Sequence, residues 1–458
     1  MIRSVIKHQF RNLAVFFLIV VFSLTAMAQE TVDTGSISEG SVGSRKNTLN
    51  ESRIADDPNS QRIDEILAGM TLQEKVAQLF VIMPEALTGV NGVTMAGSVT
   101  EAAFSEYPVG GIIYMEPNIQ TWDQTSQMLS SMQEISLNRI GLPVFLAVDE
   151  EGGGVRRVSG RLENTPYIPE MSSVGSTQDP LQAYETGITI GQYLNQLGFN
   201  VDFAPVADVM TNPANTVIGS RSFGSDPHLV ANMVTLEVQG LREQGICATL
   251  KHFPGHGNTS EDSHQGLAVS YKTLEELKNC ELLPFEGGIN AGAEFVMAGH
   301  IAMPNVTGDD TPASLSHTML TDILRGELGF DGIIITDALN MGAIVNTYGS
   351  GEAAVQAFLA GADIILAPGD FHTAYYAMLD AVSSGRISEK RLQESLQRIV
   401  GLKLRLMETD QNEIQVIRES PGIQDIQETN IDQKIKQIPY VDENTTVEEG
   451  FEGVIAEE

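Results

Sequence analysis

Short apolar runs punctuate the middle of the chain at residues 79–83, 111–115, 144–149, 201–206, 248–252, 295–300, 333–337 and 364–367. Short β-rich runs of this length are the pattern of strands buried on both faces. The stretches between them carry helix signals. Thr71-Leu72-Gln73-Glu74 and Thr273-Leu274-Glu275-Glu276 each put a hydroxyl at the N-cap and a carboxylate three residues on, which is the capping-box spacing. Strands alternating with helices in this way predict an α/β chain folded as a (β/α)8 TIM barrel. A doubly wound open sheet is the alternative, because periodicity does not show closure. No glycine-rich nucleotide fingerprint follows the first strand, which weakens a dinucleotide-binding reading.

The two flanks differ from this middle. Arg3, Lys7 and Arg11 precede an unbroken apolar run at residues 13–22, and Ala26-Met27-Ala28 then offers a small-x-small cleavage pattern. Residues 1–28 therefore read as an export signal cut before Gln29, since the run is too short to span a bilayer that needs about 20 apolar residues. The mature protein is expected outside the cytoplasm, periplasmic or extracellular, with no stable membrane anchor. Residues 29–59 are rich in Ser, Gly, Thr and Asn without a period and read as a linker. The barrel domain is expected at 60–407. Residues 408–458 hold 14 acidic and 3 basic residues without a sustained period, and are expected to be a disordered tail.

Charge narrows the partners. With 27 Lys and Arg against 60 Asp and Glu, the formal net charge is −33. Nucleic acid and anionic membranes want a basic face, so neither is an expected partner. The two cysteines, Cys247 and Cys280, fit one bridge or two free thiols equally well.

Candidate chemistry gathers at the strand ends. Asp149 closes the third run, Lys251-His252 the fifth, His300 the sixth and Asp337 the seventh. In a barrel the active site lies at the C-terminal rim and draws on several strands. Asp337 taken alone suits a nucleophile, a metal ligand or a helix cap. The segment KHFPGHGNTSEDSH, 251–264, holds three of the eight histidines. Pro254, Gly255 and Gly257 force a turn there, with His256 shaping it. Asp262 and His264 are two apart, so an extended backbone points them the same way and lets the carboxylate orient the imidazole for proton transfer. A metal site using His252, His256, His264 and Asp337 is a rival, although the first strand offers no His-x-His pair. A binding protein without catalysis is another.

KHFPGHG followed by DSH resembles the β-N-acetylglucosaminidase (β-N-acetylhexosaminidase) branch of glycoside hydrolase family 3. VDEEGGGVRRV (148–158), NVDFAPVADV (200–209), NPANTVIGSRSFG (212–224) and IITDALNM (334–341) match that family in the same order, over roughly residues 60–405. The resemblance implies a (β/α)8 barrel and retaining hydrolysis of terminal β-linked N-acetylglucosamine, with no cofactor and no metal. A β-glucosidase-type specificity is the alternative within the family. It further implies Asp337 as nucleophile and His264, oriented by Asp262, as general acid/base. Asp149, Arg157, Arg221, Lys251 and His252 would hold hydroxyls of the terminal sugar. The acid/base loop would close over bound sugar. One departure stands out: the family commonly has Arg where this chain has Gly154.

Overall fold

All eight apolar runs form strands: β1 (Phe80–Ile82), β2 (Gly111–Ile113), β3 (Phe145–Val148), β4 (Val201–Asp202), β5 (Cys247–Phe253), β6 (Phe295–Ala298), β7 (Ile333–Thr336) and β8 (Ile365–Leu366). Every residue in them is buried, as strands walled by helices outside and side chains inside must be. They pair in parallel in the order β7–β6–β5–β4–β3–β2–β1–β8. A parallel bridge between Ile335 and Ile364 then joins the two ends of the sheet into a ring. The architecture is the (β/α)8 barrel, not the open sheet.

The computed structural model of the protein describes residues 59–259 and 266–419. The export signal expected at 1–28, the linker up to residue 58, the chain beyond 419, and both Asp262 and His264 lie outside the described residues.

The capping boxes form as spelled. The Glu74 amide donates to Thr71 Oγ1 at 3.2 Å while the Thr71 amide donates to the Glu74 carboxylate at 2.9 Å, and Thr273 with Glu276 repeats the exchange. The helix Pro227–Glu243 starts with the Asp226 carboxylate on the His228 amide and proline in its first turn. It packs closely on the helix Pro180–Leu197 because both helices carry glycine at the crossing. A Cβ at Gly187 would sit 2.4 Å from the Glu237 carbonyl oxygen, and one at Gly240 2.4 Å from that of Tyr184.

The last helix, Glu389–Glu419, closes the N-terminal end of the barrel and runs beyond residue 407. Buried Asp363, just before β8, holds it there. The Asp363 carboxylate accepts from Ser395 Oγ at 2.6 Å, from the Ile334 amide at 3.0 Å and from Arg325, with Arg398 3.3 Å away. Lys403 of the same helix is wholly buried, donating to Gln78 Oε1 at 2.8 Å. Cys247 and Cys280 are both free thiols.

Candidate active site

The C-terminal ends of the strands carry the charged groups, and β5 is the spine. This strand continues through Lys251 and His252 to Phe253, so both lie within it. The Lys251–His252 peptide is cis. Lys251 Nζ sits 2.7 Å from Asp149 Oδ1 and 2.6 Å from Glu151 Oε1. Glu151 in turn receives a two-pronged contact from Arg221, whose Nε and one terminal nitrogen each lie 2.7 Å from a carboxylate oxygen. That pairing is planar and directional. The same terminal nitrogen of Arg221 lies 3.3 Å from His252 Nε2. Asp149, Glu151, Lys251, Arg221 and His252 thus form one connected cluster.

Burial sets the electrostatics of this cluster. Desolvation pushes the Glu151 carboxyl up, but Lys251 and Arg221 outweigh it and hold Glu151 far below the usual carboxylate range. Desolvation likewise works against the Lys251 ammonium, and Asp149 and Glu151 reverse it, raising its pKa. The pairs are charged and rigid.

Asp337 follows β7 and is half-buried. Its amide donates to the Ala298 carbonyl at 2.8 Å, and its Oδ1 accepts from the Ala338 amide at 2.7 Å. Burial pushes the carboxyl up. His300, the Ala338 amide and the Lys251 ammonium together prevail and hold it below its ordinary value. A carboxylate kept ionised in a partly dry site is equipped to act as a nucleophile or as a stabiliser of positive charge. His300 Nε2 lies 3.0 Å from the Ala338 carbonyl and Nδ1 lies 2.8 Å from Ser314 Oγ, so this histidine braces the residue after Asp337.

Arg157 sits on the turn after the short hairpin of Glu150–Gly152 and Val155–Arg156. Its amide donates to the Asp149 carbonyl at 3.4 Å, and its Nε is buried with no hydrogen-bond partner among the described residues. Buried Glu150 fixes this turn by accepting from the amides of Val158 and Ser159 and from the Tyr193 hydroxyl, all within 2.8 Å. Gly154 is exposed, and a Cβ there would meet nothing within 4 Å, so the missing arginine leaves no hole in the packing.

His256 fills the role of a turn former. Its Nδ1 lies 2.6 Å from Thr259 Oγ1, and its carbonyl accepts from Asn215 Nδ2 at 2.8 Å. Gly257 beside it has no room for a side chain, since a Cβ would sit 2.0 Å from the Val209 carbonyl oxygen. Among the described residues no three His, Cys, Asp or Glu side chains are placed to hold a metal ion. The nitrogens of His252 already face Asp208 and Arg221.

Two members of the site escaped the sequence reading. Glu151 hides in the run Asp149-Glu150-Glu151, and its spacing of two from Asp149 was the available signal, because residues two apart on an extended chain share a side. Asp208 accepts the His252 amide, His252 Nδ1 and the His256 amide. It lies two residues past the fourth apolar run, where nothing in the pattern shows which way it turns. A cavity of about 840 Å³ at the opposite, N-terminal end of the barrel is lined by Phe199, Cys247, Glu294 and Leu402, and by none of the candidate residues.

The sequence model described as the glycosyl hydrolase family 3 N terminal domain matches residues 71–402. Beta-hexosaminidase A of Pseudoalteromonas piscicida is 35% identical over 326 residues, covering 66% of this chain and 54% of that protein. Beta-hexosaminidase LpqI of Mycobacterium tuberculosis is 36% identical over 308 residues, covering 66% of this chain and 74% of that one. Among solved structures, a glycoside hydrolase family 3 β-N-acetylglucosaminidase from Paenibacillus sp. str. FPU-7 is similar with a TM-score of 0.69 and 38% identity, over 78% of this chain and 65% of that one. The chain thus spans little more than half the length of the Pseudoalteromonas relative.

Proposed function

The chain belongs to glycosyl hydrolase family 3, and we propose that it is an exported, retaining β-N-acetylhexosaminidase acting on terminal β-linked N-acetylglucosamine of cell-wall fragments or related glycans. The observation that carries this reading is Asp337: a strand-end carboxylate, half-buried, held ionised beside Lys251, His252 and His300. The beta-hexosaminidase names of the relatives support the substrate class.

In this mechanism the Asp337 carboxylate attacks the anomeric carbon while His264 protonates the departing glycosidic oxygen. The anomeric carbon–oxygen bond breaks, and the sugar is left esterified to Asp337. Water, giving its proton to His264, then attacks the ester and releases the sugar with its original configuration. Asp262 orients His264. Asp149, Arg157, Arg221, Lys251 and His252 bind the sugar's hydroxyls. The Lys251–Asp149 pair, and Glu151 bridging Lys251 and Arg221, fix three of those groups before substrate arrives, which lowers the ordering cost of binding. Export rests on the charged start, the apolar run at 13–22 and the Ala26-Met27-Ala28 pattern.

The test is hydrolysis of chromogenic β-N-acetylglucosaminide and β-glucoside by the purified protein. The expected result is turnover of the first at a clear excess over the second. Preference for the β-glucoside would refute the substrate class, and no turnover of either would refute the activity.

A further inference from the structure

Three groups of the histidine segment converge on one side chain outside it. Asp208 Oδ2 lies 2.7 Å from His252 Nδ1, while Oδ1 accepts the His252 amide at 3.2 Å and the His256 amide at 2.6 Å. Asp208 is completely withdrawn from solvent. Its own carbonyl accepts from Ser222 Oγ at 2.6 Å, and Ser222 follows Arg221 directly. One residue therefore ties the connection after β4, the sugar-facing part of β5 and the turn that carries Arg221.

The ring of His252 is constrained from both sides. A carboxylate only accepts, so Nδ1 donates to Asp208. A guanidinium only donates, so Nε2 accepts from Arg221. Both contacts demand the same tautomer, with the proton on Nδ1.

We propose that Asp208 is a positioning residue that locks His252 in the Nδ1–H tautomer, with its single Nε2 lone pair toward Arg221, and anchors the backbone of His252 and His256. This rests on the proposed activity for its consequence, but the tautomer itself does not. Asp208 is wholly buried. It acts through His252.

Asp208→Asn isolates the effect. The amide oxygen can still accept both backbone amides, as Oδ1 does now. The amide nitrogen replaces Oδ2 and points a donor at Nδ1. The imidazole proton must then move to Nε2, where it meets the Arg221 donor across 3.3 Å. Two donors face to face in a buried site cost about 10- to 100-fold in binding or rate.

The experiment uses the full chain with 15N-labelled histidine. Wild-type protein is expected to show the Nδ1–H pattern for His252 near neutral pH, and Asp208→Asn the Nε2–H pattern. With a chromogenic β-N-acetylglucosaminide, Asp208→Asn is expected to lower kcat/KM about 10- to 100-fold in the wild-type background. In a His252→Ala background the further loss should fall below about 3-fold, as coupled sites require. A wild-type His252 protonated on Nε2 would overturn the proposal whether or not the variant folds. Equal losses in the two backgrounds would overturn it as well. If wild-type protein turned over no β-N-acetylglucosaminide, the proposed activity would fall, and the labelled-histidine spectrum would still decide the role of Asp208.

Discussion

Glu151 and Lys251 are both almost wholly buried, and their charged atoms are 2.6 Å apart. Neither could be buried alone, because an unpaired charge in the protein interior is strongly unfavourable. Arg221 and Asp149 extend the pair into a chain of alternating charge reaching the mouth of the barrel.

Breaking this pair is therefore expected to cost stability as well as binding. Glu151→Gln should destabilise the protein by roughly 3–5 kcal/mol near neutral pH, since it leaves two cations short of a partner. Urea unfolding would measure it. The pH dependence follows from the depressed pKa of Glu151. Its stabilisation is complete above the unfolded value of about 4.3 and is lost as pH falls toward the folded one. The gap between wild type and variant should accordingly narrow below about pH 4. A gap independent of pH would contradict the ion-pair account.

Glu237 behaves in the opposite sense. It is buried on the helix Pro227–Glu243 with neither carboxylate oxygen bonded among the described residues. Burial and the nearby charge of Glu151 push its pKa up to about 8. A raised carboxyl stabilises the fold fully below its unfolded value, and that contribution is lost as pH rises through the folded value. Wild type should thus lose a few kcal/mol, on the order of 2–4, between pH 5 and 8 relative to Glu237→Gln, which cannot ionise. Parallel urea titrations of the two proteins across that range would reveal it, and parallel stability curves would rule it out.

A third expectation concerns the departing group. His264→Ala should slow substrates with poorly acidic leaving groups far more than activated aryl glycosides, because only the former need a proton as the bond breaks. A difference of about 100-fold or more between the two classes fits the usual size of general-acid effects. Steady-state kinetics on a series of aglycones would measure the slope. Equal losses across the series would remove His264 from the acid role.

The sequence was most legible where burial is complete. The runs at 79–83 and 333–337 contain β1 and β7, because strands enclosed on both sides are built mainly of apolar residues. Closure was not legible in the periodicity and came only with the family motifs. It depends on the bridge between Ile335 and Ile364, which no periodicity encodes. Asp149, Lys251, His252 and Arg221 come together in the structure, although 102 positions separate Asp149 from Lys251. Glu151 and Asp208 were missed for one shared reason. Each lies in the connection that follows a barrel strand, where the local path of the chain decides whether a carboxylate faces solvent or the pocket. His300 also ends a run, yet it braces Ala338, because its ring turns toward Ser314 and the chain after β7.

The central claim is that Asp337 forms a bond to the sugar. An activated fluorinated N-acetylglucosaminide, whose glycosyl ester hydrolyses slowly, should label the protein with one sugar per chain. Peptide mass spectrometry should then locate that mass on Asp337. Labelling of another residue, or release of sugar with inverted anomeric configuration and no labelled peptide, would contradict the account.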